Sequence, residues 1–225
     1  MGLNSRQRSV LIRMLIATGV FIYVGYLAWQ QLPTFDFRVI AVFFIIYLLW
    51  TVITEVWIYQ DPGQYVIEDD DRKSYLYLQL SYIIGLFFAA IDFVEWHMTR
   101  ILSLEPLIIY AGLVLFLLSC WIRWWGFKSI GKYFNPRVAI YEEHPLITTG
   151  AYEKIRHPLY LGTLLSFIAI PLVFNSWGAL LIMCCLTIPA LIYRIYVEES
   201  FMIKHFGDDY IRYMEKTKRM IPGIW

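Results

Sequence analysis

The sequence predicts an all-α integral membrane protein. Of its 225 residues, 59% are hydrophobic and only 16% are charged, whereas a soluble domain of this size is about a quarter charged. Apolar runs of roughly 16 to 22 residues without a charged side chain recur along the chain, as membrane spans require. Proline, glycine and charged residues separate these runs. We expect about six membrane helices, the last two forming a short helical hairpin, and then a C-terminal amphipathic helix.

The first half of the chain holds four of the expected spans. They cover about 10–32, 37–59, 74–96 and 105–125. The first run is too long for a signal peptide and has no small-residue cleavage site after it, so we interpret it as a retained span. Pro33 ends this run, and the turn Asp61-Pro62-Gly63 ends the second.

The second half begins with a polar stretch, 126–156, followed by an apolar run, 157–193. As one helix this run would be about 55 Å long, which is too long for one crossing and short for two. The breakers between Pro171 and Gly178 predict a tight hairpin whose arms do not quite span the bilayer. Residues 208–217 have the spacing of an amphipathic helix with Asp208 as its N-cap. A simple membrane anchor is the alternative for that helix.

The positive charges indicate the orientation. Of the 19 Lys and Arg residues, all except Arg38 and Arg100 fall on one side of the expected spans. This asymmetry predicts that both termini and the long polar loop are cytoplasmic. The net charge of +1 gives no reason to expect a nucleic-acid partner.

Three polar clusters fall on that same side. They are 144–152, 156–162 and 194–199. In the second, Pro158 suits the first turn of a helix and His157 its N-cap, while Gly162 allows another backbone or a ligand to approach closely. Free N–H groups at a helix start suit a ligand carboxylate or phosphate. The clusters predict a pocket with arginine and carboxylate groups at the boundary between water and lipid.

Individual acidic and basic residues allow more than one interpretation. Arg194 and Glu198 share a helix face, and the alternative to a site is an ordinary interfacial pair with Arg194 reaching to headgroups. Glu55, in the middle of the second span, needs a partner because a carboxylate at that depth is costly. Asp92 and Glu95, near the outer end of the third span, are expected to be solvated.

The order and spacing of the polar residues resemble those of the isoprenylcysteine carboxyl methyltransferase family. The matching pattern is Gly150-x-Tyr152, Arg156-His-Pro-x-Tyr160-x-Gly162, Arg194-x-x-x-Glu198-Glu199, Phe206-Gly-x-x-Tyr210-x-x-Tyr213 and Ile221-Pro222. Phospholipid N-methyltransferases share its general form. The resemblance covers about residues 126–225, so we expect a methyltransferase-like catalytic region there and a four-helix membrane region over 1–125.

The resemblance implies S-adenosylmethionine as the cofactor and a lipophilic methyl acceptor. By position, the residues implied to line the cofactor site are His144, Leu146, Ile147, Tyr152, His157, Pro158, Tyr160 and Glu198. Glu198 would hold a polar group of the cofactor, and Arg194 would face the acceptor. The segment 136–143 does not supply the polar cofactor contact that eukaryotic members place there. Methyl transfer from a sulfonium requires alignment and exclusion of water, and the sequence shows no metal-ligand spacing.

Two other functions remain open at this point. Membrane sterol reductases, which use NADPH, resemble the last helices and the ending Ile221-Pro-Gly-Ile-Trp225. A transporter or membrane scaffold would use Glu55 and Asp92 along a pathway. Within the methyltransferase interpretation, the acceptor is an isoprenylcysteine-like carboxylate or another lipid-soluble carboxylate, hydroxyl, thiol or amine. The expected partners are this lipophilic or lipidated substrate and membrane lipids, in a prokaryotic cell membrane.

Overall fold

A computed structural model describes residues 18–19, 22–54, 66–101, 104–135, 138–141 and 144–225. These residues form a helical membrane protein with one small strand pair. Four helical stretches are long and apolar enough to cross a membrane: Thr34–Val52, Ser74–Trp96, Glu105–Tyr133 and Trp177–Phe206. Glu55 and the expected first span at 10–17 and 20–21 lie outside the described residues, as do residues 55–59 of the second span.

The helices follow the chain as α1 (22–31), α2 (Thr34–Val52), α3 (Ser74–Ile91), α4 (Glu105–Ile130), α5 (Pro158–Val173), α6 (Trp177–Ile182), α7 (Ile188–Phe206) and α8 (Asp208–Lys216). A π-helical turn, Asp92–Trp96, extends α3, and another, Met183–Thr187, joins α6 to α7. Pro189 has no N–H to donate to the carbonyl of Cys185, four residues earlier, and the second π-helical turn lies at that point.

The third expected span, 74–96, agrees with α3 and its π-helical turn, whereas the fourth was predicted too short. α4 continues to Ile130, so the first five residues of the predicted polar stretch are helical. The ammonium group of Lys128 lies 5.3 Å from the centre of the Trp124 ring. An aromatic ring paired with a cation in this way is typical of the membrane interface.

The last apolar run is a hairpin, as predicted, but its arms differ in length. α5 has 16 residues, or about 24 Å, and does not span a bilayer. The second arm, Trp177–Phe206, has 30 residues, so the prediction of two short arms is wrong for it. Asn175 turns the chain with a φ of 44°, and the Ser176 side chain accepts a hydrogen bond from the N–H of Ala179. This turn lies at the hairpin face of the bundle, and α5 begins at the opposite face, which we call the loop face.

Glycine residues allow α4 and α5 to pack closely as an antiparallel pair. A Cβ atom on Gly112 would lie 2.5 Å from the backbone nitrogen of Val173. One on Gly162, near the other end of the contact, would overlap Cγ of Arg123 and lie 3.0 Å from the carbonyl of Ser119. The predicted close approach at Gly162 is therefore to α4. Small residues at such contacts are the usual means by which membrane helices pack.

Aromatic side chains fill the core between α2, α3, α4 and α5. The ring of Phe43, which is fully buried, lies 5.2 Å from that of Phe116 and 5.3 Å from that of Phe174. Phe93 completes the group, 5.8 Å from Phe174. These edge-on contacts are the arrangement that aromatic pairs prefer.

At the hairpin face, Asp92 is buried, so the prediction that it is solvated is wrong. The Asp92 side chain accepts hydrogen bonds from the hydroxyls of Ser176 (2.6 Å) and Thr99, and from the N–H of Met98 (2.9 Å). The π-helical turn directs this carboxylate inward, where it joins the end of α3 to the hairpin turn. Glu95 is exposed, as expected.

At the loop face, two short strands pair, which the sequence reading did not anticipate. β1 (Val66–Asp69) runs antiparallel to β2 (Ala139–Tyr141). The side chains of Val138 and Ile140 are buried against Val197 and Phe201 of α7. The strand pair therefore links the connection between α2 and α3 to α7, in the C-terminal half of the chain.

α8 lies at the loop face, with Tyr210 and Tyr213 buried. Its N-cap is Gly207, with a φ of 55°, and Asp208 is the first helical residue. The assignment of Asp208 as the N-cap is therefore wrong by one residue. At its actual position, the Asp208 carboxylate still suits the positive end of the helix dipole.

Candidate active site

One cavity of about 840 Å³ runs from the loop face into the helix bundle. Eight of the nine predicted site residues line it: His144, Leu146, Ile147, Tyr152, His157, Tyr160, Arg194 and Glu198. The ninth, Pro158, is buried as the first residue of α5 and is not part of the lining. The structure therefore brings residues from three separate chain segments into one place.

The start of α5 forms one wall of the cavity. His157 is the N-cap residue, and its N–H donates to the carbonyl of Arg219 over 2.8 Å. Pro158 follows at the first helical position, as predicted, where the missing N–H costs nothing. The imidazole of His157 lies 3.2 Å from Oε1 of Glu199 through Nε2 and 3.7 Å from Oε1 of Glu198 through Nδ1.

Glu198 presents its carboxylate to the cavity. Its Oε2 accepts a hydrogen bond from the hydroxyl of Tyr160, and the side chain keeps 28% of its surface exposed. The Tyr160 ring stacks on His157 with 5.4 Å between ring centres. An ionised carboxylate has about four acceptor positions, so Glu198 retains acceptor capacity towards the cavity.

Its neighbour Glu199 points the other way and is almost fully paired. It receives hydrogen bonds from Arg156 Nε and Arg219 Nε, each 2.9 Å long. The side chain is 4% exposed. Arg156 also donates to the carbonyls of Met214 and Thr217. Glu199 and Arg156 therefore fasten the C-terminal segment to α5 and α7.

The C-terminal segment closes the polar end of the cavity. The hydroxyl of Tyr213 donates to the carbonyl of Tyr152 over 2.6 Å, and the N–H of Arg156 donates to the carbonyl of Lys218 over 2.8 Å. Burial raises the pKa of Tyr210, and the nearby charge of Glu198 raises it further. Tyr210 and Tyr213 both line the cavity as neutral phenols.

Residues of the N-terminal region hold the Arg194 side chain in place. Its Nη1 donates to Asp71 Oδ1 over 2.7 Å and to the hydroxyl of Ser74 over 2.9 Å. The guanidinium carbon also lies 5.6 Å and 5.9 Å from the ring centres of Tyr75 and Tyr160. Burial acts to raise the pKa of Asp71, but the hydrogen bonds from Arg194 and from the Tyr75 N–H outweigh it, so this pKa lies below its ordinary value.

His144 stacks on an aromatic ring at the cavity wall. Its ring centre lies 4.9 Å from that of Tyr133 and 6.3 Å from that of Phe206. Burial lowers the pKa of His144 to about 4, with a further contribution from the charge of His205. At neutral pH the cavity therefore faces an uncharged imidazole.

The inner half of the cavity lies among the membrane helices. Its walls come from α2, α3, α4 and α5 and include Tyr47, Trp50, Leu78, Tyr82, Phe116, Arg123, Thr163 and Phe167. The hydroxyls of Tyr47 and Tyr82 lie 3.2 Å apart. The cavity thus changes from polar at the loop face to mainly aromatic and apolar inside the bundle.

Comparison with known proteins agrees with this arrangement. Residues 112–204 match the Isoprenylcysteine carboxyl methyltransferase (ICMT) family. A probable protein-S-isoprenylcysteine O-methyltransferase from Oryza sativa subsp. indica is 26% identical over 156 residues, which are 66% of this chain and 80% of the relative. Protein-S-isoprenylcysteine O-methyltransferase from Saccharomyces cerevisiae is 32% identical over 115 residues, or 50% of this chain and 48% of the relative.

A solved structure has a fold similar to that of this chain. The structure of the eukaryotic intramembrane Ras methyltransferase ICMT matches it with a TM-score of 0.56 at 19% identity, over 99% of this chain and 88% of that one. Together with the family match, this likeness confirms that the protein is a membrane-embedded methyltransferase. Neither the reductase nor the transporter alternative receives support from these relatives.

Sequence reasoning missed several residues that build the site of this methyltransferase. Asp71, Tyr75 and Arg123 come from the region for which no family pattern was recognised. Arg156 and Glu199 were within the recognised motifs, but adjacent helical residues point about 100° apart, and the pattern alone does not show that Glu199 faces Arg156. The acidic run 68–71 was the available signal for Asp71.

Proposed function

We propose that the protein transfers a methyl group from S-adenosylmethionine to a lipid-soluble acceptor, of which an S-isoprenylcysteine carboxylate is the leading candidate. The observation that supports this most is the single cavity of about 840 Å³. It joins a polar end at the loop face to an apolar end among the membrane helices. Small-molecule sites range from about 300 to 1,000 Å³, so this cavity has room for a nucleoside donor and part of a lipid.

The residues at the polar end fit the chemistry of such a donor. When bound, S-adenosylmethionine supplies an electrophilic methyl group on a positively charged sulfur. The ring of Tyr152 lines the cavity and can face a cation, and Glu198 offers acceptor positions to an ammonium or ribose hydroxyl group. The first N–H groups of α5, at Leu159 and Tyr160, suit a carboxylate. His144 contributes an uncharged surface, as its lowered pKa requires.

We propose that Arg194 lies between the donor and the acceptor. The resemblance assigns it to the acceptor, and its guanidinium lies over the Tyr160 ring, 5.9 Å from the ring centre. Its bond to Asp71 balances much of its charge. Its contribution is therefore to fix Tyr160 and the adjacent Glu198 in place, as an arginine with several donors does.

We further propose that the loop face is cytoplasmic. The positive-inside distribution supports this orientation, and the donor would enter from the cytoplasm while the acceptor enters from the lipid. Acceptors other than a carboxylate, namely a hydroxyl, thiol or amine on a lipophilic molecule, are compatible with the apolar walls alone.

Calorimetric titration with S-adenosylhomocysteine tests the proposal. The purified full-length protein in detergent is compared with Glu198→Gln, and with Glu215→Gln as the matched control, because Glu215 is exposed on α8. We expect binding by the wild type and the control, and a loss of roughly tenfold or more in Glu198→Gln, the usual effect of losing a hydrogen bond to a charged group. Binding of NADPH in place of the nucleoside would contradict the proposal, and so would a Glu198→Gln protein with unchanged affinity.

A further inference from the structure

Arg123 of α4 directs its side chain into the inner half of the cavity. Its guanidinium carbon lies 5.5 Å from the ring centre of Trp50 and 5.7 Å from that of Phe127. Its aliphatic part packs against Gly162, where any Cβ atom would overlap Cγ of Arg123. Three helices thus hold this side chain: aromatic rings of α2 and α4 lie at its charged end, and a glycine of α5 lies beside its aliphatic part.

No carboxylate among the described residues balances the charge of Arg123. Arg100, Arg156, Arg194 and Arg219 each form an ion pair with an Asp or Glu. Across the described ranges 22–54, 66–101, 104–135, 138–141 and 144–225, no carboxylate lies within ion-pair distance of the Arg123 guanidinium. Contact with aromatic faces offsets only part of the cost of such a charge.

The ordinary alternative is an arginine that reaches to lipid headgroups. Arg123 lies two helical turns before the end of α4 at Ile130, so its Cα is about 10 Å deeper than that end. Lys128, which follows on the same helix, is exposed and lies over Trp124, as an interfacial cation does. Arg123 instead lines the cavity. A half-buried cation that faces a cavity and has no carboxylate partner among the described residues requires another anion, or water.

We propose that Arg123 binds the acidic group of the methyl acceptor. This rests on the proposed function and deepens it, because it assigns the acceptor class to a particular residue. A planar guanidinium binds a carboxylate through two parallel hydrogen bonds. The hydroxyls of Tyr47 and Tyr82 line the same part of the cavity and add donors for the acceptor. An unbalanced cation at this position also disfavours an amine acceptor.

The proposed step balances without a further reactant. A carboxylate oxygen forms a bond to the methyl carbon while the carbon–sulfur bond breaks, and the bonding pair returns to sulfur. The carboxylate becomes a neutral ester, the sulfonium becomes a neutral thioether, and no proton moves. Because the acceptor loses its charge in this step, Arg123 binds the substrate more strongly than the ester product. Arg123 therefore contributes to binding and orientation of the acceptor. Its loss should raise KM more than it lowers kcat.

The test compares an acid with its uncharged amide. N-acetyl-S-farnesylcysteine and its carboxamide are titrated into the full-length wild type, Arg123→Gln, Arg123→Lys and the control Lys128→Gln, and methylation of the acid is measured in parallel. We expect the wild type and Lys128→Gln to prefer the acid. In Arg123→Gln, the affinity for the acid falls by roughly 30-fold, the lower end for removing one partner of a buried charge pair, and the preference disappears. Arg123→Lys restores part of it.

Affinity for S-adenosylhomocysteine distinguishes a failure of the Arg123 assignment from a failure of the proposed function. If wild type binds the nucleoside and methylates the acid, but Arg123→Gln keeps the same KM and the same preference, Arg123 is not the acceptor residue. If wild type binds neither the nucleoside nor the acid, the proposed function itself fails. If Arg123→Gln does not fold, the inference is tested with Arg123→Lys and with the preference of the wild type for the acid over the amide. Equal affinity of the wild type for the acid and the amide overturns the inference.

Discussion

Replacing Glu199 by Gln should destabilise the protein without directly removing a cofactor contact. Glu199 joins Arg156, Arg219 and His157, with its side chain 4% exposed. Breaking a buried ion pair costs about 3–5 kcal/mol, because the remaining charge is left without compensation. Arg156 keeps two backbone carbonyl acceptors, and Arg219 is 22% exposed and can reach water. The loss should therefore lie at the lower end, about 3 kcal/mol.

This loss corresponds to a measurable change in thermal stability. For a chain of this length, each kcal/mol lowers the Tm by about 2–4 °C, so Glu199→Gln should melt about 6–12 °C below wild type when the intrinsic Trp fluorescence is followed in detergent. Glu198→Gln is the matched control: its carboxylate is 28% exposed and should lose nucleoside affinity with little change in Tm. If both variants melted within about 1 °C of wild type, the assignment of Glu199 as the clamp of the C-terminal segment would be wrong.

Three further outcomes follow from the structure. Gly162→Ala should lower stability by about 1–3 kcal/mol and raise acceptor KM, since its methyl group displaces the stem of Arg123; unaltered melting and kinetics would argue against the close packing. His144 has a pKa lowered to about 4 in the folded protein, against an ordinary value near 6.5. The unfolded chain takes up the proton first, so the contribution of His144 to stability should be fully present above about pH 6.5 and fall as the pH drops towards 4. In His144→Gln, the Tm should fall less than in the wild type across this pH range. Asp92→Ala should cost about 2–4 kcal/mol in denaturant or thermal unfolding, because the hydroxyls of Ser176 and Thr99 and the N–H groups of Met98 and Thr99 lose their acceptor. A change below about 0.5 kcal/mol would contradict its role at the hairpin face.

The sequence predicted the membrane helices well where apolar runs had clear ends. The third span agreed to the residue, and the breakers around Asn175 placed the hairpin turn correctly. The predictions failed where a polar residue near a helix end was interpreted from hydropathy alone. Asp92 is buried because a π-helical turn directs it inward, and Lys128 lies within α4, with its ammonium group over the Trp124 ring. Hydropathy reports how apolar a segment is, not which neighbour a single side chain meets.

The residues around the cavity show a similar limit. Family spacing identified eight lining residues, because chemistry shared within a family leaves the same residue types at the same separations. It did not separate the exposed carboxylate of Glu198 from the buried one of Glu199. That difference depends on where Arg156 and Arg219 lie, and thus on the path of the C-terminal segment back across α5. The roles assigned to the lining residues stay predictions until cofactor binding is measured.

The division into a membrane region, 1–125, and a catalytic region, 126–225, separates sequence patterns better than it separates functions. Position 125 falls inside α4, and the N-terminal side of that boundary supplies Asp71 to Arg194 and Trp50 to the cavity. The strand pair explains how: β1 ends two residues before Asp71 and is anchored by β2 to α7, the helix that carries Arg194. A variant that weakens this strand pair would therefore release Asp71 from Arg194 without touching a family motif. Residues with no recognisable pattern thus determine how the recognised ones are held. The inner half of the cavity, which we propose for the acceptor, is built largely from that unrecognised part.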